Sequence, residues 1–148
     1  ALPGHTLGHI AYVTDGFTLC GDTLFSAGCG RLFEGTPAQM YDSLSKLKRL
    51  AETTKVYCTH EYTMANLAFA QAAEPSNQKL IDRCARESAK READQPTLPS
   101  SMELELATNP FLRCNEETLR KSAETQLGSA PKNEVEVFSA LRGWKDHF

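Results

Sequence analysis

The sequence has no apolar run near the roughly 18 residues that a membrane helix requires, so no membrane partner is expected. It has no basic excess either: 16 Lys and Arg stand against 19 Asp and Glu, a net charge of -3. That balance lacks the electrostatic footprint of a nucleic-acid binder, so no nucleic-acid partner is expected. A local basic pocket for a small acidic ligand remains compatible with it. There is no CxxC pair, and the five cysteines (Cys20, Cys29, Cys58, Cys84 and Cys114) are odd in number. Both facts argue against a disulfide framework or a zinc ribbon and fit a reducing, cytoplasmic setting. No basic segment leads into an apolar one at the start, so no signal peptide is expected. Repeats and low-complexity stretches are also missing. What remains is ordinary for a globular protein: 148 residues, 41% hydrophobic and 24% charged, enough for one domain or two small ones.

Two short β-prone runs, 9–14 and 17–20, are separated by Asp15-Gly16. Such a link predicts a hairpin with a type I′ turn, in which both residues take positive φ. Gly21-Asp22-Thr23 ends the second run, and a glycine-rich shaped loop follows over 26–36. Thr36-Pro37 predicts a helix start, with Thr36 as N-cap and Pro37 in the first helical position. Met40, Leu44, Leu47 and Leu50 fall on one face of that helix. Residues 56–58 read as a short buried strand ending at Thr59-His60-Glu61-Tyr62. No strand is expected beyond residue 63; helices are predicted at about 63–73, 77–93, 115–125 and 132–146. The expected organisation is mixed α/β over 1–62 and helical over 63–148.

His5, Asp22 and His60 fall at strand ends or in the loops beside them. Imidazole and carboxylate are the ligands expected for zinc, iron or manganese, and a carboxylate can bridge two cations. Of the four histidines, His9 opens a strand, where it bonds locally or orients His5 from behind. His147 lies near the C-terminus and reads as solvated. Spacing alone leaves a metal site and ordinary loop hydrogen bonding both open.

Local motifs add to this. Pro3-Gly4-His5-Thr6-Leu7-Gly8-His9 resembles the histidine loop of the metallo-β-lactamase fold. Gly21-Asp22-Thr23-Leu24-Phe25 resembles its bridging-aspartate strand, and Thr59-His60-Glu61-Tyr62 its last histidine. More narrowly, the run from Gly21 to Thr36 resembles glyoxalase II (hydroxyacylglutathione hydrolase), particularly its bacterial forms. Asn109-Pro110-Phe111-Leu112-Arg113 and Leu141-Arg142-Gly143-Trp144-Lys145-Asp146 match that family too.

The resemblance implies an α/β (α+β) fold: the second half of an αββα sandwich over 1–62, then a helical glutathione-thioesterase domain over 63–148. It implies two divalent metal ions, zinc before iron or manganese. His5 would bind the first, Asp22 would bridge both and act in catalysis, and His60 would bind the second. A metal-bound hydroxide would then hydrolyse S-D-lactoylglutathione to glutathione and D-lactate, a step of methylglyoxal detoxification. Arg31, Phe33, His60, Tyr62, Arg142 and Lys145 would recognise glutathione, whose two carboxylates suit Arg and Lys. Arg31 also has a simpler expectation, a pair with Glu34. Phe33 stands where some relatives have Tyr. Cys29, between glycines, has no histidine near it in sequence and is not expected to be a nucleophile.

The family's upstream His-x-His-x-Asp-His motif is missing. The chain is therefore expected to be the C-terminal portion of a longer protein, monomeric at full length. By itself it should be inactive, with an apolar sheet face uncovered. Competing expectations are a persulfide dioxygenase of the same fold and a non-catalytic glutathione-binding module.

Overall fold

The computed structural model describes residues 1–148. Strand β1 (Tyr12–Val13) pairs antiparallel with β2 (Phe17–Gly21), Tyr12 opposite Leu19 and Val13 opposite Thr18. The expected Asp-Gly hairpin is therefore present, but its turn is not type I′. Gly16 takes φ +93°, whereas Asp15 is not among the non-glycine residues with positive φ. One left-handed residue suffices here, as in a type II turn, and glycine supplies it without a steric cost.

A second hairpin follows, β3 (Leu24–Phe25) and β4 (Gly28–Cys29), turned by Ser26 and Ala27. Helix α1 (Pro37–Lys48) starts as predicted: Thr36 Oγ1 accepts the Gln39 amide at 3.2 Å and Gln39 Oε1 accepts the Thr36 amide at 2.9 Å. That reciprocal pair is a capping box. Met40, Leu44 and Leu47 are buried, while Leu50 lies past the helix end and packs only partly against the core. Helix α1 is the crossover that lets β5 (Lys55–Cys58) lie parallel to β2. The segment 56–58 is not buried throughout. Val56 is fully buried but Tyr57 is exposed, because the sheet is covered on one face only.

The helical region opens with α2 (Thr63–Ala73) and α3 (Gln78–Glu92), close to the predicted bounds. Then comes a strand that sequence reading did not anticipate: β6 (Ser100–Ser101) pairs antiparallel with β5. Two residues hold strand geometry because a distant edge is there to pair with, which no local pattern reveals. Helix α4 (Met102–Thr108) was also not predicted; the Ser101 side chain caps it by accepting the Leu104 amide at 3.3 Å. A 3₁₀ turn at Pro110–Leu112 leads to α5 (Glu117–Leu127) and α6 (Glu134–Asp146), each starting two residues later than predicted. The sheet order is β1-β2-β5-β6, mixed in direction, so the class is α/β with a helical C-terminal region.

One continuous core of 20 buried residues joins the two regions. Leu24, Met40, Leu44 and Val56 come from the first, and Phe69, Phe111, Phe138 and Leu141 from the second. The opposite sheet face is bare: Tyr12, Phe17, Leu19 and Tyr57 are all exposed, and the rings of Phe17 and Tyr57 meet edge-on at 6.0 Å. No helix is long and apolar enough to cross a membrane.

Candidate metal and substrate cleft

The β2–β5 pair carries its reactive residues just past the strand ends. Asp22 follows β2 and His60 follows β5, and parallel pairing brings them to one edge, with His60 Nε2 3.3 Å from Asp22 Oδ1. Thr59 Oγ1 donates to Asp22 Oδ1 at 2.9 Å, so the carboxylate is held from the β5 side. The first loop brings in His5. Its Nδ1 lies 2.9 Å from the Arg31 carbonyl oxygen. A carbonyl only accepts, so Nδ1 carries the proton and the Nε2 lone pair is left free, the usual way a backbone oxygen orients a ligand histidine. Gly30 permits this closeness: a β-carbon there would overlap the Asp22 carbonyl oxygen and lie 3.2 Å from His5 Nδ1.

All eight residues singled out from sequence line a single cleft of about 640 Å³: His5, Asp22, His60, Arg31, Phe33, Tyr62, Arg142 and Lys145. The aromatic wall is ordered by contact. Tyr62 stacks on His60 at 4.8 Å, Phe33 packs on His5 at 4.8 Å, and Phe25 meets Tyr62 edge-on at 5.3 Å. No three His, Cys, Asp or Glu side chains of this chain are gathered tightly enough to hold a cation among themselves. The donors fit a divalent metal in type, with one lone pair freed at His5 and a carboxylate beside His60, but as an incomplete set.

A profile of the hydroxyacylglutathione hydrolase C-terminus matches residues 61–148. Hydroxyacylglutathione hydrolase of Pseudomonas paraeruginosa is 56% identical over 150 residues, covering 99% of this chain and 58% of that protein. The proteins of that name from Shewanella pealeana and Nitrosomonas europaea are 55% and 51% identical over 147 residues, each covering 99% of this chain and 56% of its own length. The chain belongs to the hydroxyacylglutathione hydrolase family. It spans a little over half the length of these relatives.

Within this family member the basic wall of the cleft is differentiated. Arg142 is 3% exposed, and its guanidinium is already engaged: Nη1 donates to the Cys29 carbonyl at 2.7 Å and Nη2 to Asp146 Oδ1 at 3.0 Å. The group also lies over the Phe111 ring at 5.2 Å, and its Nε has no partner. Lys145 is half-buried, and burial, with Arg142 and Arg31 nearby, holds its ammonium below the usual lysine range. An arriving anion would relieve that strain. Arg31 does not pair with Glu34. Its Nε lies 3.8 Å from Asp146, while Glu34 accepts the Leu7 amide at 2.8 Å and braces the His5 loop.

Sequence reading did not single out Phe25, Ala65 and Asn66 as cleft residues. It left His9 either bonding locally or orienting His5; the His9 ring does meet that of His5 edge-on at 5.9 Å, and its Nε2 accepts the Asp22 amide, a partner sequence reading did not name. Phe25 lies inside the quoted Gly-Asp-Thr-Leu-Phe motif. Asn66 carries no sequence signal; it is placed by donating to the Ser26 carbonyl at 3.0 Å. Cys29 lines the cleft as a buried thiol that burial pushes up, so it is not poised as a nucleophile.

Proposed function

We propose that the protein carrying this chain hydrolyses S-(2-hydroxyacyl)glutathione, S-D-lactoylglutathione above all, to glutathione and the 2-hydroxy acid, serving cytoplasmic methylglyoxal detoxification. The observation that carries this reading is the convergence of the eight residues on one cleft in a member of this family. In this reading 1–62 belong to the metal-binding domain and 63–148 form the substrate-binding domain. His5 would hold one divalent ion, His60 a second, and Asp22 would bridge them. Zinc suits the donors best, with iron or manganese as alternatives. Such ions would lower the pKa of water and polarise the thioester carbonyl.

The chain's own residues would bind and orient the substrate. Lys145 supplies the cation facing a glutathione carboxylate, with Arg31 at the rim. Arg142, committed to Cys29 and Asp146, fixes the wall and adds positive field. Tyr62 and Phe33 enclose the tripeptide while bracing His60 and His5. The remaining metal ligands would come from residues outside this chain, in a protein that is monomeric at full length.

Loss of thioester absorbance on adding S-D-lactoylglutathione to the full-length protein tests the reading. Asp22→Ala should lower kcat by at least about 100-fold, the loss of several kcal/mol of charge stabilisation. Unchanged turnover in Asp22→Ala would refute the metal role. Turnover by residues 1–148 alone would refute the need for outside ligands.

A further inference from the structure

Asp22 is gripped from two sides, and only one grip touches its carboxylate. The other is a hydrogen bond from the Asp22 amide to His9 Nε2 at 3.0 Å. An amide only donates, so this nitrogen of His9 must carry the lone pair. The backbone is shaped for that contact. Gly21 has φ +55°, and a β-carbon on it would sit 2.5 Å from His9 Nε2. The imidazole therefore occupies the space a side chain at residue 21 would need. The peptide bond between Gly21 and Asp22 is also the last link before the side chain that faces His60.

We propose that His9 is a positioning residue for Asp22: by accepting the Asp22 amide it fixes the direction of the Asp22 carboxylate toward a bound divalent ion. His9 need not touch the ion. Thr59 restrains the carboxylate oxygen, and Gly30 lets the Asp22 carbonyl pack close to the next loop. His9 restrains the one remaining polar group of the residue. The proposal rests on reading Asp22 as a metal ligand, and the test separates the two.

The full-length protein would be titrated with Zn²⁺ against a competing chelator, in the wild type and in His9→Leu, His9→Gln and Asp22→Ala. His9→Leu keeps the bulk but removes the acceptor, and should weaken Zn²⁺ binding by about 10- to 100-fold, as loss of a ligand-orienting partner does. His9→Gln restores an acceptor at similar reach and should return to within about threefold of wild type. On ¹⁵N-labelled wild-type protein, a coupling across the hydrogen bond should link the Asp22 amide to His9 Nε2. A purely structural histidine would lower stability in His9→Leu and leave Zn²⁺ affinity unchanged.

Wild-type affinity in His9→Leu, with affinity lost in Asp22→Ala, would overturn the proposal and leave the metal reading standing. Wild-type affinity in Asp22→Ala would overturn the metal reading and the proposal together. Absence of the coupling would overturn the proposal even if His9→Leu failed to fold.

Discussion

Replacing Glu105 by Gln should destabilise the chain far more than its single lost charge suggests. Glu105 is wholly buried in α4 and paired with Arg83 of α3, their side chains 0% and 1% exposed. Its Oε1 accepts from Arg83 Nη2 at 2.8 Å and from the Ser100 hydroxyl. Its Oε2 accepts the Ala27 amide and Asn109 Nδ2, each at 2.9 Å. Glutamine has one oxygen and one NH₂ group, so either orientation turns a donor toward two donors. It also leaves Arg83 as an uncompensated buried charge. Breaking such a pair costs about 3–5 kcal/mol, a large part of the roughly 5–15 kcal/mol that holds a typical domain folded. Trp144, the only tryptophan, packs on Phe69 at 5.0 Å and gives a fluorescence probe. In urea the midpoint should fall by about 2 M at a slope near 2 kcal/mol per M. Adding Arg83→Met removes the stranded charge and should recover part of the loss. If Glu105→Gln stays within about 0.5 kcal/mol of wild type, the pair is not the keystone its geometry indicates.

Phe69→Ala should cost about 3–5 kcal/mol in the same assay, because its fully buried ring stacks on Phe111 at 5.9 Å and cannot be replaced by relaxation. Glu74 is buried, which alone would raise its pKa, but hydrogen bonds from Arg113, Asn77 and Thr118 hold its carboxyl below the usual range. With the folded value depressed, its contribution is present above about pH 4.5 and is lost as pH falls through the folded value. Glu74→Gln should flatten the fall in stability on acidification, and an unchanged slope would contradict this. On the bare sheet face, Leu19→Ser should weaken self-association of residues 1–148 by about 1 kcal/mol per contact in sedimentation equilibrium. An unchanged association constant would show that the face is not the sticky one.

Much of this molecule is legible from local chemistry. The Thr36-Pro37 start of α1 needed only its cap and proline, and α2 matched its predicted bounds because the break at Glu74-Pro75-Ser76 ends it at Ala73. Eight of the twelve cleft residues were legible through motifs, and parallel pairing of β2 with β5 explains why Asp22 and His60 meet. What was not legible depends on partners distant in sequence. Strand β6 exists because Val56 stands opposite Ser100. Ala27 takes φ +59°, a conformation its side chain does not favour, while the Glu105 carboxylate accepts its amide. The free-looking Arg142 is spent on Asp146, an i,i+4 neighbour on its own helix, and on the Cys29 carbonyl, which lies 113 residues away and which no helical spacing reveals. Helix α4 is the exception: Ser101 ahead of Glu103 and Glu105 was a readable start, hidden between Pro99 and Pro110.

The turn at Ser26 and Ala27 has a consequence for anyone recombining relatives. Its carbonyls accept from Asn66 and Asn109, the Ser26 hydroxyl accepts from Arg83, and the Ala27 amide donates to Glu105, all four partners coming from the helical region. A hybrid joined after residue 62 would graft foreign helices onto a hairpin fitted to others. Residues 25–28 and those four helical side chains are therefore a single unit of inheritance, and a working chimera must take both from the same parent.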